Sequence, residues 1–281
     1  MQVSTKTYCI IGDPINHSLS PGMQNAAFNS LGLNCTYIAF RVAANELKES
    51  IESLRSINIS GFNVTVPHKV EVMNHLDELD VTAKKAAAVN TVINIEGIFK
   101  GYNTDIHGFI EPLRRKHVNF AGMQVLLLGA GGAARAIIVA LSEESKITRV
   151  VIANRDIERA KKLAKMGSDL GLKCETLALD KAAEISPTSD LIINSTTLGL
   201  NNESSIIDHK HIKKGAIVYD IVYRPIVTDL IENAKYAQAS VVYGYEMLLE
   251  QGAKAFEIWT GVPAPRDAMK KNLLGIFGEP T

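Results

Sequence analysis

One stretch in the middle of the chain constrains the fold more than any other: MQVLLLGAGGAARAIIVALSE, residues 123–143. A strand-length apolar run leads into closely spaced glycines, and an apolar segment of helical length follows. Gly129 permits a tight turn from strand to helix, Gly131 lets the backbone approach a pyrophosphate, and Ala134 lets helix and strand pack closely. The start of the helix offers N–H groups and a positive dipole end to phosphate. This stretch predicts a doubly wound, dinucleotide-binding unit.

Strand-like and helix-like segments alternate on both sides of this motif. TYCIIG, CTYIAFRV and GFNVTV read as strands separated by helices, which predicts a mainly parallel sheet with helices on both faces. The pattern restarts near residue 108, and the final long helix is able to return to the first part. A length of 281 residues also suits two domains. We therefore predict an α/β protein with a substrate-binding domain, residues 1–107 and 247–281, and a Rossmann-like domain, residues 108–246.

Three local features give more detailed expectations. Ser20 followed by Pro21 reads as the N-cap and first residue of a helix. HKVEVMNHLDEL, residues 68–79, reads as helical. Glu96-Gly97 reads as the turn between two strands.

The last long helix combines core residues with one inward polar residue. Gln251 shares a side of this helix with Met247 and Ala255, so its amide is expected to face inward and to need polar partners. Phe256 and Trp259 are expected in the core and carry no predicted chemistry.

Charge and cysteine content exclude several classes of partner. Thirty basic residues balance thirty acidic ones, so no net field favours nucleic acid or anionic lipid. The apolar runs are too short to span a membrane, and the first residues do not resemble a signal peptide. Three cysteines without a CxxC pair indicate reduced thiols in the cytoplasm. No HExxH pattern is present, so no metal is expected. We predict a small-molecule substrate and leave open whether the chain forms a homodimer.

The stretch GFNVTVPHK, residues 61–69, places a hydroxyl, a rigid proline and a cation at the end of a strand. Open α/β sheets bind ligands at the edge where their strands end. Thr65 and Lys69 are therefore candidate ligand contacts. The competing interpretation of Lys69 as one of many solvated lysines does not explain the combination.

Polar side chains also lie at the ends of other elements in the same part of the chain. Ser18 and Ser20 follow the first strand in GDPINHSLSP, while Asn90 ends AAAVN and Asp105 ends GYNTD. Ser20 and Asp105 are also good helix N-caps, and residue type leaves both interpretations open.

The residues after the second strand of the dinucleotide-binding unit bear on cofactor choice. An NAD site usually has a carboxylate there, whereas this chain has Asn154 and Arg155. Arg155 and Arg159, one helical turn apart, are placed to bind a 2′-phosphate, which favours NADP. Asp156 argues the other way, because its carboxylate would repel phosphate and accept from a ribose hydroxyl.

The whole series of motifs resembles the shikimate dehydrogenase family. The resemblance covers nearly the whole chain and rests on ordered segments, namely GDPINHSLSP, GFNVTVPHK, AAVNT, GYNTDIHGF, GAGGAA, NR, NSTTLG, DIVYRP and EMLLEQGAKAFEIWTG. It implies a cytoplasmic enzyme that reduces 3-dehydroshikimate to shikimate with NADPH, in the chorismate route to aromatic amino acids.

The resemblance also assigns roles by motif position. Ser18 and Ser20 would hold the substrate carboxylate, and Lys69 and Asp105 would be the catalytic pair. The implied contacts to the rest of the substrate are Thr65, Asn90, Asp105, Tyr223 and Gln251. The implied NADP contacts are Gly129, Ala130, Gly131, Gly132 and Ala133 at the pyrophosphate, Asn154, Arg155 and Arg159 at the ribose phosphate, and Ile221 and Gly244 near the nicotinamide.

The chemistry of such a reaction suits these residues. Hydride delivery to a ketone builds negative charge on the carbonyl oxygen, and an ammonium placed there stabilises the transition state more than the ground state. Lys69 is able to donate both a hydrogen bond and a proton, while Asp105 would orient the substrate hydroxyls and fix the lysine.

Three positions depart from the family pattern: Gln24 replaces a histidine, Ala88 a glycine, and Asp156 a threonine or serine. Because of Asp156, a quinate/shikimate dehydrogenase that uses NAD remains an alternative function. A dinucleotide-binding sensor without catalysis is a further alternative, although it would not require both Lys69 and Asp105.

Overall fold

The structure is a computed structural model that describes residues 5–144 and 146–277. The described residues divide into two compact units. One contains the residues up to Gly108 and those from Leu249 onward, and the other is Phe109–Leu248. The sequence places these boundaries at 107/108 and 246/247.

A six-stranded sheet forms the centre of the first unit. Its strands are β1 (Lys6–Gly12), β2 (Cys35–Arg41), β3 (Gly61–Val64), β4 (Glu78–Leu79), β5 (Thr91–Ile95) and β6 (Ile98–Tyr102). They lie in the order β2-β1-β3-β5-β6-β4. Strand β1 pairs in parallel with β2 and β3, and β4 with β6, whereas β5 is antiparallel to both neighbours. The predicted mainly parallel sheet is confirmed.

Four helices follow or connect these strands: α1 (Ser20–Ser30), α2 (Leu47–Ser56), α3 (Val81–Ala86) and α4 (Asp105–Arg115), which continues into the second unit. The prediction that Ser20 is the N-cap of α1 is wrong by one residue. Leu19 occupies the N-cap, Pro21 lies in the first turn, and Ser20 is already helical and buried. The Ser20 hydroxyl is therefore not used as a cap.

The predicted helix over residues 68–79 is also wrong. A short 3₁₀ turn at Glu71–His75 and strand β4 replace it. The backbone explains the difference, because the Asp77 N–H donates to the Phe99 carbonyl and the Asp77 carboxylate accepts from the Phe99 N–H. These bonds hold the segment against the edge of β6 rather than in a helix.

Strands β5 and β6 form a hairpin that turns at Glu96-Gly97, as predicted. Both residues have positive φ, 52° and 92°. Two consecutive left-handed residues match the right-handed twist of a two-residue hairpin. The Asn94 side chain accepts from the Gly97 N–H at 2.7 Å and closes the turn.

A second six-stranded sheet forms the centre of Phe109–Leu248. Its strands are β7 (Gln124–Leu128), β8 (Arg149–Asn154), β9 (Cys174–Ala178), β10 (Leu191–Asn194), β11 (Ile217–Asp220) and β12 (Ser240–Val242). They are all parallel, in the order β12-β11-β10-β7-β8-β9. This is the doubly wound order, whose ligand crevice lies where the chain reverses direction between β7 and β10. The predicted Rossmann-like unit is confirmed.

The helices of this unit are α5 (Gly132–Glu143), α6 (Ile157–Asp169), the single turn α7 (Ala182–Ile185) and α8 (Asp229–Tyr236). Side chains fix where two of them begin. Asp156 accepts from the Glu158 and Arg159 N–H groups at the start of α6, and Thr228 accepts from the Ile231 N–H at the start of α8.

Two further helices follow β12, α9 (Gly244–Thr260) and α10 (Arg266–Ile276). The part of α9 in the first unit supplies core aromatic residues. The Trp259 ring stacks on Tyr8 at 4.9 Å and its Nε1 donates to the Val92 carbonyl at 2.9 Å, while Phe256 is fully buried. Both were predicted as core residues, and this is confirmed. Within residues 5–144 and 146–277, no helix combines the length and apolar character needed to cross a bilayer.

Candidate active site

A lysine from the loop after β3 and the aspartate that begins α4 meet in the first unit. Lys69 Nζ lies 2.6 Å from Asp105 Oδ2, and the two side chains retain only 14% and 6% of their exposure. A charge-assisted hydrogen bond of this length in a poorly solvated place fixes both side chains. The pair thus provides a positioned ammonium and a positioned carboxylate.

The backbone after β3 holds Lys69 in place. The Thr65 N–H donates to the Ile11 carbonyl, which ties the end of β3 to β1, and the His68 N–H donates to the Thr65 carbonyl. The His68 ring bonds the Val42 carbonyl at 2.7 Å. The Lys69 carbonyl itself accepts from the Val89 N–H at 2.7 Å. The loop is therefore pinned on both sides of the lysine.

Asp105 is the first residue of α4 rather than its cap. Its N–H donates to the Asn103 side chain at 3.1 Å, and its carboxylate oxygens accept from Lys69 and Asn90. The alternative that the carboxylate caps the helix is wrong, because both oxygens are bonded to side chains. The positive end of the α4 dipole also favours a carboxylate at this position.

Asn90 links Asp105 to the core of the unit. Its Nδ2 donates to Asp105 Oδ1 at 2.8 Å, and its Oδ1 accepts from the Thr104 N–H at 2.7 Å. The backbone donor at Thr104 fixes which end of the amide is oxygen, so the NH₂ group must point at the carboxylate.

Gln251, on α9, reaches the same group. Its Oε1 lies 3.4 Å from Asn90 Nδ2. The Gln251 side chain is half-buried, and Met247 and Ala255 on the same side of the helix are buried. Lys69, Asp105, Asn90 and Gln251 thus form one connected polar group.

Ser18, Ser20 and Thr65 lie at the neighbouring strand ends. The Ser18 hydroxyl accepts from the Ser20 N–H at 3.3 Å, which holds the two serines together at the start of α1. Thr65 follows β3, and its methyl group packs against Gly12 at the end of β1. Gln24, one turn along α1 from Ser20, donates to the Gly252 carbonyl at 2.9 Å. This bond ties α1 to α9 beside Gln251.

Sequence reasoning missed several buried polar residues around this group: Tyr37, Asn63, Thr91 and Thr104. Asn63 gave a signal, since a polar amide inside the short strand GFNV, buried throughout, requires partners. The others look like ordinary strand and loop residues, and only the arrangement of the strands in the order β2-β1-β3-β5 brings them together.

In the second unit, two glycines shape the turn between β7 and α5. Gly129 has φ +105°, and a Cβ there would lie 2.7 Å from Ser195 Oγ, so the turn accepts only glycine. Gly131 is the N-cap of α5, and a Cβ there would point into open space. Because Gly131 has no side chain, the first N–H groups of α5 are accessible to an anion. The loop Gly129, Ala130, Gly131, Gly132 and Ala133 fits a dinucleotide phosphate.

The predicted ribose-phosphate residues lie together after β8. The Asn154 side chain donates to the Asp156 carbonyl at 2.8 Å, and Arg155 and Arg159 are exposed. Asp156 caps α6 with one oxygen, and its other oxygen lies 3.4 Å from Arg159 Nε. The carboxylate that opposed NADP in the sequence is thus already engaged by the helix and by an arginine.

Three further predicted residues follow β11 or begin α9. Ile221 and Tyr223 are half-buried, and burial raises the pKa of the Tyr223 phenol while neighbouring Arg224 opposes the rise. A Cβ at Gly244 would lie 2.6 Å from the Ile221 carbonyl oxygen. Any larger residue at the start of α9 would therefore clash with the backbone at Ile221, so glycine is required there.

A buried carboxylate is hydrogen-bonded to residues around the end of β11. Asp220, at the end of β11, accepts from Thr228 Oγ1 at 2.6 Å, Asn194 Nδ2 at 2.9 Å and the Val222 N–H at 3.0 Å. Burial raises its pKa to about 6, against the effect of these donors. The described part of the chain contains no group of three or more His, Cys, Asp or Glu side chains arranged to hold a metal ion.

A doubly wound nucleotide-binding unit and a separate unit with a buried lysine–carboxylate pair define the class of α/β dehydrogenases. Comparison with known proteins identifies the group within it. Residues 10–92 match the model of the shikimate dehydrogenase substrate binding domain, residues 112–230 that of shikimate/quinate 5-dehydrogenase, and residues 244–274 that of the shikimate 5'-dehydrogenase C-terminal domain.

Alignments with individual relatives cover almost the whole chain. A protein of Nitrosopumilus maritimus named shikimate dehydrogenase (NADP(+)) is 48% identical over 97% of this chain and 99% of its own length. The shikimate dehydrogenase from Aquifex aeolicus, a protein of known structure, has 38% sequence identity to this chain. The match covers 96% of this chain and 97% of that one, with a TM-score of 0.88. The structure of the Thermus thermophilus enzyme in complex with NADP(H) and shikimate is 34% identical, covers 96% and 99%, and has a TM-score of 0.85. The chain belongs to the shikimate dehydrogenase family.

Proposed function

We propose that this protein catalyses the NADP-dependent, reversible reduction of 3-dehydroshikimate to shikimate, a step towards chorismate and the aromatic amino acids. The observation that carries the proposal is the buried Lys69–Asp105 pair, bonded to Asn90 and set at the strand ends of the first unit. A purely structural ion pair would not need an amide donor, a second amide at Gln251 and a glycine-turn unit in the same chain. The identity of the substrate is inferred from the family to which the chain belongs.

In this proposal the first unit, residues 1–107 with 247–281, recognises the substrate. Ser18 and Ser20 would donate to its carboxylate, and their adjacency at the start of α1 matches the two oxygens of that group. Thr65, Asn90, Asp105 and Gln251 would contact ring hydroxyls. Asp105 accepts and Asn90 donates, so together they distinguish a hydroxylated ring from an apolar one. Tyr223 would add a further contact.

Lys69 would act at the reacting oxygen. When bound, NADPH supplies a hydride to the ketone carbon. The Lys69 ammonium would donate a hydrogen bond to the oxygen on which charge develops and then transfer a proton to it. In the reverse direction the neutral amine would take the proton back. Asp105 keeps the ammonium in one place, so little reorganisation is needed as charge develops.

Residues 108–246 would bind NADP. The residues for the phosphates are Gly129, Ala130, Gly131, Gly132 and Ala133, with Asn154, Arg155 and Arg159 at the 2′-phosphate and Ile221 and Gly244 beside the nicotinamide. The engagement of Asp156 by α6 and Arg159 supports NADP over NAD, because less of its negative charge faces a phosphate. The three cysteines are free thiols, which supports a reducing, cytoplasmic setting.

The test is a steady-state assay of the absorbance of the reduced nicotinamide with purified protein. Shikimate and quinate are each offered with NADP⁺ and with NAD⁺. We expect the highest kcat/KM for shikimate with NADP⁺. A preference for quinate with NAD⁺ would instead identify the alternative dehydrogenase, and saturable NADP⁺ binding without any turnover would identify a sensor.

A further inference from the structure

A continuous chain of buried hydrogen bonds leads from Tyr37 to the Asn90 amide of the proposed substrate site. Tyr37 lies on β2 and retains 1% of its exposure. Its hydroxyl donates to Asn63 Oδ1 at 2.6 Å, a short bond between two buried side chains. Neither Tyr37 nor Asn63 belongs to the predicted substrate contacts.

One side of the chain is Tyr37 itself, which is buried and tied to helix α1 through its backbone. Burial raises the pKa of the Tyr37 phenol well above its ordinary value, so the hydroxyl keeps the proton that it donates. The Asn25 side chain both accepts from the Tyr37 N–H and donates to its carbonyl at 2.8 Å. Helix α1 and strand β2 are thus fixed relative to each other.

The other side of the chain leads from Asn63 to the lysine–carboxylate pair. Because Asn63 Oδ1 accepts from Tyr37, its Nδ2 must face β5, where it donates to the Asn90 carbonyl at 3.0 Å and to Thr91 Oγ1 at 2.9 Å. Thr91 Oγ1 in turn donates to Asn90 Oδ1 at 3.1 Å. These bonds fix the Asn90 amide, whose Nδ2 then meets Asp105.

We propose that Tyr37 is a positioning residue that, through Asn63, sets the Asn90 amide at the lysine–carboxylate pair. The inference rests on the proposed function. A tyrosine suits this place because its hydroxyl donates to Asn63 and its ring fills the core beside Trp259, with ring centres 5.9 Å apart. Phenylalanine would fill the same volume and break the link to Asn63.

The experiment combines Tyr37→Phe, Thr91→Val and the double variant, with Tyr8→Phe as the matched control. Tyr8 is a second buried tyrosine, on β1, which stacks on Phe28 and Trp259. The KM for shikimate, the KM for NADP⁺, kcat and the shikimate Kd by calorimetry are measured for each, after circular dichroism has shown a folded chain.

We expect Tyr37→Phe to raise the KM and Kd for shikimate about tenfold, since a lost hydrogen bond between buried groups costs on the order of 1–2 kcal/mol, and to change the KM for NADP⁺ less than twofold. In the Thr91→Val background the same change should cost less than threefold, because both changes act on the Asn90 amide. Tyr8→Phe should leave all constants within twofold.

A lower melting temperature with unchanged shikimate constants, or fully additive effects of Tyr37→Phe and Thr91→Val, would show a structural role only and overturn the inference. If Tyr37→Phe does not fold, Thr91→Val tests the next link and must give the same split between the KM values for shikimate and NADP⁺. A wild-type protein that neither binds nor oxidises shikimate would refute the proposed function itself, whereas an active wild type with an indifferent Tyr37→Phe would refute only the positioning role.

Discussion

Lys69 and Asp105, which are 36 positions apart in the sequence, meet with Nζ 2.6 Å from Oδ2 in a place that solvent barely reaches. A second lysine–aspartate pair, Lys213 and Asp190, has the same 2.6 Å separation but keeps 50% and 27% of its side-chain exposure. The two pairs have the same distance between nitrogen and oxygen, and they differ in solvent access and in neighbouring residues. The exposed pair is therefore a matched control for the buried one.

The first prediction concerns Lys69→Ala. We expect kcat to fall about a hundredfold or more with little change in the KM for shikimate, because general acid catalysis contributes about 10²–10⁴ and acts mainly in the transition state. Steady-state kinetics on a variant shown to be folded provides the measurement. Lys213→Ala should keep wild-type kcat, and a Lys69→Ala enzyme within a few-fold of wild type would remove Lys69 from the mechanism.

The second prediction concerns Asp105→Asn. An asparagine there must turn its NH₂ group towards either Lys69 or Asn90, both of which are donors, so one contact becomes repulsive. We expect kcat to fall by about two orders of magnitude, the size of a typical acid–base contribution, because the ammonium is no longer fixed. The control is Asp190→Asn in the exposed pair. Equal losses in both variants would mean that the effect is on stability.

The fold and most of the site follow from sequence patterns that repeat over many residues. The glycine turn at Gly129, the hairpin at Glu96-Gly97 and the strand ends near Lys69 depend on local chain geometry. The edge strands β9 and β12 escaped notice because they lack a continuous apolar run and are partly exposed. Whether Asp105 caps α4 could not be decided by residue type, since a capping carboxylate and a lysine-bound one look the same until Lys69 is placed.

The third prediction concerns Ser18→Ala. If its hydroxyl donates to the substrate carboxylate, the contact is made equally in the ground and transition states, so the loss appears in KM. A hydrogen bond to a charged group contributes about 1.5–3 kcal/mol, which predicts a KM for shikimate about 10- to 100-fold higher at nearly constant kcat. Ser30→Ala, at the other end of α1, is the control, because that hydroxyl donates to the Ala27 carbonyl of its own helix. An unchanged KM would reject the role of Ser18.

The fourth prediction concerns Asp156→Ser and cofactor choice. Serine is a good N-cap, so this change keeps the start of α6 while removing a negative charge beside Arg155 and Arg159. We expect the ratio of kcat/KM for NADP⁺ to that for NAD⁺ to rise about threefold to tenfold, the effect of about 1 kcal/mol for a partly exposed charge. Arg155→Ala should move the ratio in the opposite direction. A lower ratio in Asp156→Ser would mean that the carboxylate orients an arginine rather than repelling phosphate.

The last prediction concerns Asp220 and the pH dependence of stability. Its pKa is raised from 3.8 to about 6 in the folded protein. Between these values the folded state holds a proton that the unfolded state has lost, so the free energy of unfolding falls as pH rises through this window and levels off above pH 6. A shift of about two units corresponds to about 3 kcal/mol at most.

Asp220→Asn removes the titration and keeps the oxygen that Asn194 and the Val222 N–H donate to, while Thr228 reverses its hydroxyl to accept. We therefore expect the wild type to gain stability relative to Asp220→Asn when urea unfolding is moved from pH 7.5 to pH 4.5, by about 1–3 kcal/mol. The comparison between two proteins at each pH cancels the other titrating groups. A difference that does not vary with pH would mean that Asp220 is ionised throughout, held so by the three donors that surround it.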